Sequence, residues 1–193
     1  YLHFGTEWVQ GAMRLRKPDW IELEYAQQMM ALMLFIPEPA HIVQLGLGTG
    51  ALTKFGYRQF PRARVTAVEL NPSVVAICES MFKLPPEDDR LTVLDTPEFY
   101  ADCAACLAPG GMVTVNLFGD HPSYAKNLKA MKHAFADVIA LPEVHDGNVV
   151  ALAFKDKPVL DFVLLHERAA AIRAATKLPA QTWVNGIQST RKA

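Results

Sequence analysis

The chain has 193 residues, 51% of them hydrophobic and 20% charged, which is enough for one sizeable domain with a real core and ordinary for a soluble globular protein. Its net charge is −1 with Lys and Arg scattered along the chain, so no basic stripe marks a nucleic-acid partner. The longest apolar run, residues 29–36, is far too short to span a bilayer, and no membrane partner is expected either.

In chain order, residues 1–4 and 8–14 read as two short strands joined by a turn around Gly5, a small N-terminal β-hairpin over residues 1–17. Pro18 and Asp19 then start a helix. Asp19 can cap it and Glu22 stands three residues on, as a capping box requires; the helix runs to about Phe35, where Pro37-Glu38-Pro39 stops it. Residues 41–45 form a short apolar strand, followed by the turn Gly46-Leu47-Gly48-Thr49-Gly50 and a helix over 51–60. A second strand, 64–68, ends in Glu69. Asn71 and Pro72 supply a cap and a first-turn proline for a helix whose Val74, Ile77, Cys78 and Met81 recur on one face.

Residues 91–93 look like a third strand. A helix over 97–107 stops at Pro109-Gly110-Gly111 and leads into a strand over 112–117, then a helix over 124–135. Strands 138–141 and 149–154 flank Asp146-Gly147 as a hairpin, and an amphipathic helix over 160–177 closes the reading. Strands alternating with helices predict an α/β fold: a Rossmann-like, doubly wound, mostly parallel sheet with a C-terminal antiparallel hairpin, over residues 18–193. One join resists that scheme. The third strand reaches the helix at Pro97 through Leu94-Asp95-Thr96 alone, whereas a parallel neighbour needs a crossover of about a dozen residues or more. A segment of about 30 residues, the size of one such unit, is therefore expected to be missing near 92–96.

Three cysteines are too few and too odd in number for a disulfide framework, and no basic-then-apolar leader opens the chain, so a reducing cytoplasm is the expected location. Cys103 and Cys106 make a C-x-x-C, but late in a helix and without a second ligand pair; they read as packing, and no metal is expected. Met29, Met30 and Met33 read as core filler. Asn116 stands at a strand end where ligands gather in such sheets, though a structural role is the more ordinary reading there and it is not assigned to the site.

The strongest signal is the succession of strand, Gly46-x-Gly48-x-Gly50, helix, strand and Glu69. Glycines serve where the chain turns sharply and must let a ligand approach the backbone, and the following helix presents its N–H groups and positive dipole end. An acidic residue about 20 positions on, at the tip of the next strand, can hydrogen-bond a ribose. The spacing predicts nucleoside binding without choosing the nucleoside, since reading through Ala51 also satisfies the dinucleotide form G-x-G-x-x-[G/A].

The helix closing on Leu107-Ala108-Pro109-Gly110-Gly111, then a strand and a terminal hairpin, resembles the class I S-adenosylmethionine-dependent methyltransferase superfamily. Within it, Trp8-Val9-Gln10, the run from Glu22 through Tyr25 to Met30, the glycine turn with Glu69, and Pro97-Glu98-Phe99-Tyr100 are similar to the polyamine aminopropyltransferases, the spermidine synthase-like family. The resemblance implies a co-substrate site made by Gln10, Gly46, Leu47, Gly48, Thr49, Gly50, Glu69 and Leu70, with Gln10 and Glu69 on the ribose. It implies Tyr25 facing a small-molecule amine acceptor. Tyr25, Gln28 and Met29 also make sense simply as one packed helix face.

The implied reaction moves an aminopropyl group from decarboxylated S-adenosylmethionine to that amine. The family carries an aspartate where this chain has Thr49, and His-Glu where it has Ala26-Gln27. Its catalytic aspartates lie after the fourth strand, in the stretch expected to be missing, so no catalytic residue is assigned and Asp95 is left aside. A methyltransferase using intact S-adenosylmethionine is the second reading, and a non-catalytic protein retaining the fold the third. An NAD-dependent oxidoreductase comes last, for want of a second half-fold. The N-terminal hairpin is too small to stand alone, and the resemblance implies that it pairs with a second subunit. A homodimer is the expected state, and a monomer by light scattering at micromolar concentration would contradict it.

Overall fold

The computed structural model describes residues 1–3, 9–69, 71–94, 107–122, 124–144 and 147–192. The hairpin tip with Trp8, Leu70, the stretch with Asp95, Pro97–Tyr100, Cys103 and Cys106, and Asp146 lie outside them. In chain order the elements are α1 (Glu24–Met29), a 3-10 turn (Met30–Leu34), β1 (His41–Leu45), α2 (Ala51–Gln59), β2 (Arg64–Val68), α3 (Pro72–Met81), β3 (Leu91–Leu94), β4 (Met112–Phe118), α4 (Tyr124–Ala134), β5 (Asp137–Ala140), β6 (Asn148–Phe154), α5 (Phe162–Thr176) and α6 (Ala180–Lys192). The architecture is mixed α/β of the expected Rossmann-like class, with a parallel sheet and an antiparallel sheet. It divides into two compact units, residues 1–23 with 38–101, and residues 24–37 with 102–193.

In the first unit β1, β2 and β3 pair in parallel, in that order, from His41 opposite Arg64 to Leu45 opposite Val68 and from Val65 opposite Leu91. The helices α2 and α3 supply the crossovers that parallel neighbours require. The central strand is the buried one: Val65, Ala67 and Val68 are each 1% exposed or less. Leu47, Ala67, Val74, Cys78 and Leu84 form a core cluster, with Val75 packed against it. Asn71 caps α3 as expected, its side-chain oxygen accepting from the Ser73 N–H at 3.0 Å. The buried face of α3 is narrower than its periodicity suggests. Val74 and Cys78 are buried, but Met81 at the last turn is 68% exposed.

Polar groups close the far end of this unit. Arg90 Nη1 donates to the carbonyls of Tyr57, Phe60 and Ala63 at 3.3–3.4 Å, and its guanidinium lies 4.1 Å from the Tyr57 ring centroid. A cation here gathers carbonyls at and just beyond the C-terminus of α2, where positive charge is favourable; Phe60 O also accepts from Ala63 N–H at 2.9 Å. At the N-terminus the described residues show an antiparallel bridge between Leu2 and Gly11. The helix expected from Asp19 does not start there. Asp19 binds Arg58 at 2.8 Å and Glu22 binds Arg14, so neither acid is left to form the capping box, and α1 begins at Glu24.

In the second unit β4, β6 and β5 pair antiparallel, in that order, with Phe154 opposite both Met112 and Asp137. Every residue of the central β6 is buried. Phe35 meets Phe154 edge-on at 4.9 Å, and Met30 and Met33 fill the interior as expected. Gln28 Nε2 donates to the Pro142 carbonyl at 3.1 Å and Arg168 Nη1 to the Leu34 carbonyl at 2.7 Å, tying the 24–37 segment to the rest. Asp161 caps α5, accepting from Val163 N and Leu164 N.

The helix α6 has no counterpart in the sequence-based reading. Thr182, Asn185 and Gly186 are weak helix formers, yet Trp183, Val184 and Ile187 are each 1% exposed or less, so tertiary packing decides. Gly186 has a packing reason: a Cβ there would lie 2.7 Å from Pro142 Cδ. Gly→Ala inside a helix ordinarily adds stability. Here Gly186→Ala is expected to lose about 1–3 kcal/mol through overpacking, read from the urea midpoint.

Candidate functional site

The glycine turn leaves β1 and enters α2 through three residues with positive φ: Gly46 at 77°, Gly48 at 56° and Gly50 at 65°. A side chain at any of them would be strained. Four hydrogen bonds set its shape. Gly46 N–H donates to Val68 O at 2.7 Å, extending the β1–β2 ladder by one step, and Gly50 N–H donates to Leu47 O at 2.8 Å. Gln44 Nε2 donates to Gly46 O at 2.7 Å, and Cys78 Sγ donates to Gly48 O at 3.1 Å. Thr53 Oγ1 in turn donates to Gln44 Oε1 at 2.6 Å and orients that amide. With these carbonyls engaged, and with Gly50 offering no side-chain cap to α2, the helix N-terminus keeps donors for an anionic or polar ligand.

Glu69 follows β2 and its carboxylate spans the two neighbouring backbones. Oε2 accepts from Leu47 N at 2.9 Å and Oε1 from Asn71 N at 3.0 Å. The acid therefore stands beside the turn, as the spacing predicted, and holds it to the entry of α3. Gln10 joins them: its carbonyl oxygen would lie 3.1 Å from a Cβ on Gly48. Gly46, Gly48 and Gln10 keep exposed surface, whereas Leu47 and Thr49 are 1% and 2% exposed and can meet a ligand only through backbone. Leu47 belongs to the core cluster, and Thr49 Oγ1 donates to Ala12 O at 3.5 Å.

Tyr25 and Asn116 belong to the second unit. Tyr25 lies on α1, half-buried, and burial raises its hydroxyl above the usual tyrosine value, so it is a donor at neutral pH. Asn116 lines a cleft of about 190 Å³ with Phe118, His121, Tyr124 and Asn127, and its Nδ2 donates to Asn148 Oδ1 at 2.7 Å. Among the described residues no three His, Cys, Asp or Glu side chains group as a metal site, and no helix is long and apolar enough to cross a membrane.

The sequence reading passed over Gln44, Cys78 as a donor, and Lys54. Lys54 is fully buried on α2, and its ammonium donates to Phe82 O at 2.7 Å, where α3 ends. Burial lowers its pKa. Polar residues on otherwise apolar faces were the available signal for Gln44 and Lys54.

No protein-family profile matches the chain. A curated polyamine aminopropyltransferase from Chromobacterium violaceum is 28% identical over 225 aligned positions, covering 99% of this chain and 86% of the relative. Among solved structures, human Methyltransferase-like protein 13 in complex with SAH superposes with a TM-score of 0.68 at 19% identity, over 81% of this chain and 93% of that one. A probable spermidine synthase from Corynebacterium glutamicum follows with a TM-score of 0.65 at 16% identity, over 88% and 80%.

Burial raises the Cys78 thiol to about 11, and its sulfur is held on Gly48 O. At pH 8 the thiol is therefore protonated and shielded. Brief alkylation of the native protein followed by peptide mapping is expected to find Cys78 unmodified, and to find it modified once denaturant is added.

Proposed function

We propose that this transferase, similar to the polyamine aminopropyltransferases and to solved spermidine synthases, moves an aminopropyl group from decarboxylated S-adenosylmethionine to a small amine. The observation that carries the reading is the Glu69 carboxylate standing at the glycine turn, bonded to Leu47 N and Asn71 N. A ribose binding there would exchange those backbone donors for its two hydroxyls. Gly46 and Gly48 let the nucleoside approach the backbone, and Gln10 closes over it from the N-terminal segment. Leu47, Thr49 and Gly50 would contribute backbone alone.

The acceptor nitrogen attacks the methylene beside the sulfonium. A C–N bond forms, the C–S bond breaks with its electron pair going to sulfur, and methylthioadenosine leaves. The amine must be deprotonated to attack, so a carboxylate or a carboxylate-held water should take its proton. Tyr25, a protonated donor and acceptor, is the residue that the family resemblance assigns to that amine.

We place the proton-accepting carboxylates on a segment of the full-length protein, between β3 and β4, that the 193 residues here do not include. The Chromobacterium relative aligns over 225 positions against the 193 residues here, so about 30 positions have no counterpart, the length of one strand-and-helix crossover. A cytoplasmic homodimer, joined through the N-terminal segment, completes the proposal.

One observation favours methyl transfer as a second reading. The neutral Thr49 stands where the family carries an aspartate, and its hydroxyl is buried on Ala12 O, so position 49 offers no charge to an ammonium. Parallel calorimetric titrations of the native full-length protein separate the two. Aminopropyl transfer predicts at least tenfold tighter binding of decarboxylated than of intact S-adenosylmethionine, with methylthioadenosine binding as product. The reverse preference would move the assignment to methyl transfer, and binding of none would remove both. Glu69→Gln is expected to weaken every nucleoside by at least tenfold, about 1.4 kcal/mol.

A further inference from the structure

The N-terminal segment crosses the glycine turn with no spare room. Gln10 lies with its carbonyl oxygen 3.1 Å from where a Gly48 Cβ would stand. One residue on, a Cβ at Gly11 would fall 2.5 Å from Thr49 Cγ2, 2.6 Å from Oγ1 and 2.9 Å from Cβ. Gly11 is not among the residues with positive φ, so its backbone would accept an ordinary side chain. The space occupied by Thr49 is what forbids one.

Thr49 cannot retreat. Its side chain is 2% exposed, its β-branch leaves χ1 stiff, and its hydroxyl is bonded to Ala12 O. The segment is also held from its other side, by Gln10 N–H on Leu2 O and Leu2 N–H on Gly11 O, both at 2.8 Å. A displaced residue 11 would therefore carry Gln10 away from Gly48. Gln10 itself is half-exposed, so the contact with Gly48 gives it a place at the turn without burying it.

We propose that Gly11 and Thr49 form a size-matched positioning pair that seats Gln10 on the glycine turn and thereby sets affinity for the nucleoside. The proposal rests on the reading of the turn as a nucleoside site. It gives Thr49 a role that needs no contact between its side chain and the ligand.

The test is a pair of mutant cycles read by calorimetric titration with methylthioadenosine, with a thermal melt of every variant. Gly11→Ala is expected to weaken binding at least tenfold. Thr49→Gly removes the obstructing atoms, so adding Gly11→Ala in that background should change affinity less than twofold. Gln10→Ala should also weaken binding, and Gly11→Ala added to it should have little further effect, because the residue being positioned is already gone. A merely structural role for Gly11 would instead persist in the Gln10→Ala background.

If wild type binds and Gly11→Ala binds equally well, the positioning pair is overturned while the nucleoside reading stands. An undiminished loss in either the Thr49→Gly or the Gln10→Ala background overturns it too. If Gly11→Ala alone fails to fold, folding and binding of Gly11→Ala/Thr49→Gly supports the pair, and failure of that double variant rejects it. Absence of nucleoside binding by wild type would overturn both proposals together.

Discussion

The parallel pairing of β1 with β2 is the constraint on which the site depends. Leu45 opposite Val68 ends both strands at the same level, and the bond from Gly46 N to Val68 O carries the ladder into the turn. Whatever follows the two strands must therefore emerge side by side. The glycine turn follows one and Glu69 the other, which is why a carboxylate 19 residues beyond Gly50 can bond Leu47 N at 2.9 Å. An antiparallel pairing would send these groups to opposite ends of the sheet. The helices α2 and α3 then serve two purposes. They make the crossovers, and they deliver Thr53, by way of Gln44, and Cys78 to the carbonyls of the turn.

Neutral groups fix the turn's carbonyls, and a charged one fixes its relation to α3. Gln44 and Cys78 engage Gly46 and Gly48 without bringing net charge to the site. Lys54 is buried away from the turn, on the carbonyl at the end of α3, where a cation interacts favourably with the helix dipole. The carboxylate of Glu69 is thus the charged side chain bonded to the turn among the described residues, and each of its oxygens accepts from a backbone N–H.

The core of this arrangement was legible in the sequence because local rules govern it. Positive-φ glycines, the Asn71 cap with Pro72, and the apolar strands at 41–45 and 64–68 each reflect a preference spanning a few residues. What was not legible depends on partners far along the chain. Asp19 and Glu22 have the spacing of a capping box, yet Arg58 and Arg14 claim them, and no window around residue 19 contains Arg58. The helix α6 forms from weak helix formers because Trp183 and Ile187 find a core to enter. Gly11 looks like an ordinary strand glycine until Thr49, 38 positions on, is seen in the space its side chain would fill. The Met81 discrepancy has a related cause: periodicity marks which positions share a face, not how far the neighbouring layer extends.

The division of the chain also bears on how it is made. Segment 24–37 joins the second unit, where its partners are Pro142, Phe154 and Arg168, all more than a hundred residues later. The first unit needs only the chain up to residue 101, so it can close around its own sheet while synthesis continues. Met30, Met33, Leu34 and Phe35 meanwhile leave the ribosome early and wait, uncovered, for β6 and α5. Long-range closure of this kind slows folding and leaves apolar surface available to chaperones or to aggregation. The most vulnerable moment for this protein is therefore the interval in translation between residue 37 and the arrival of its C-terminal third.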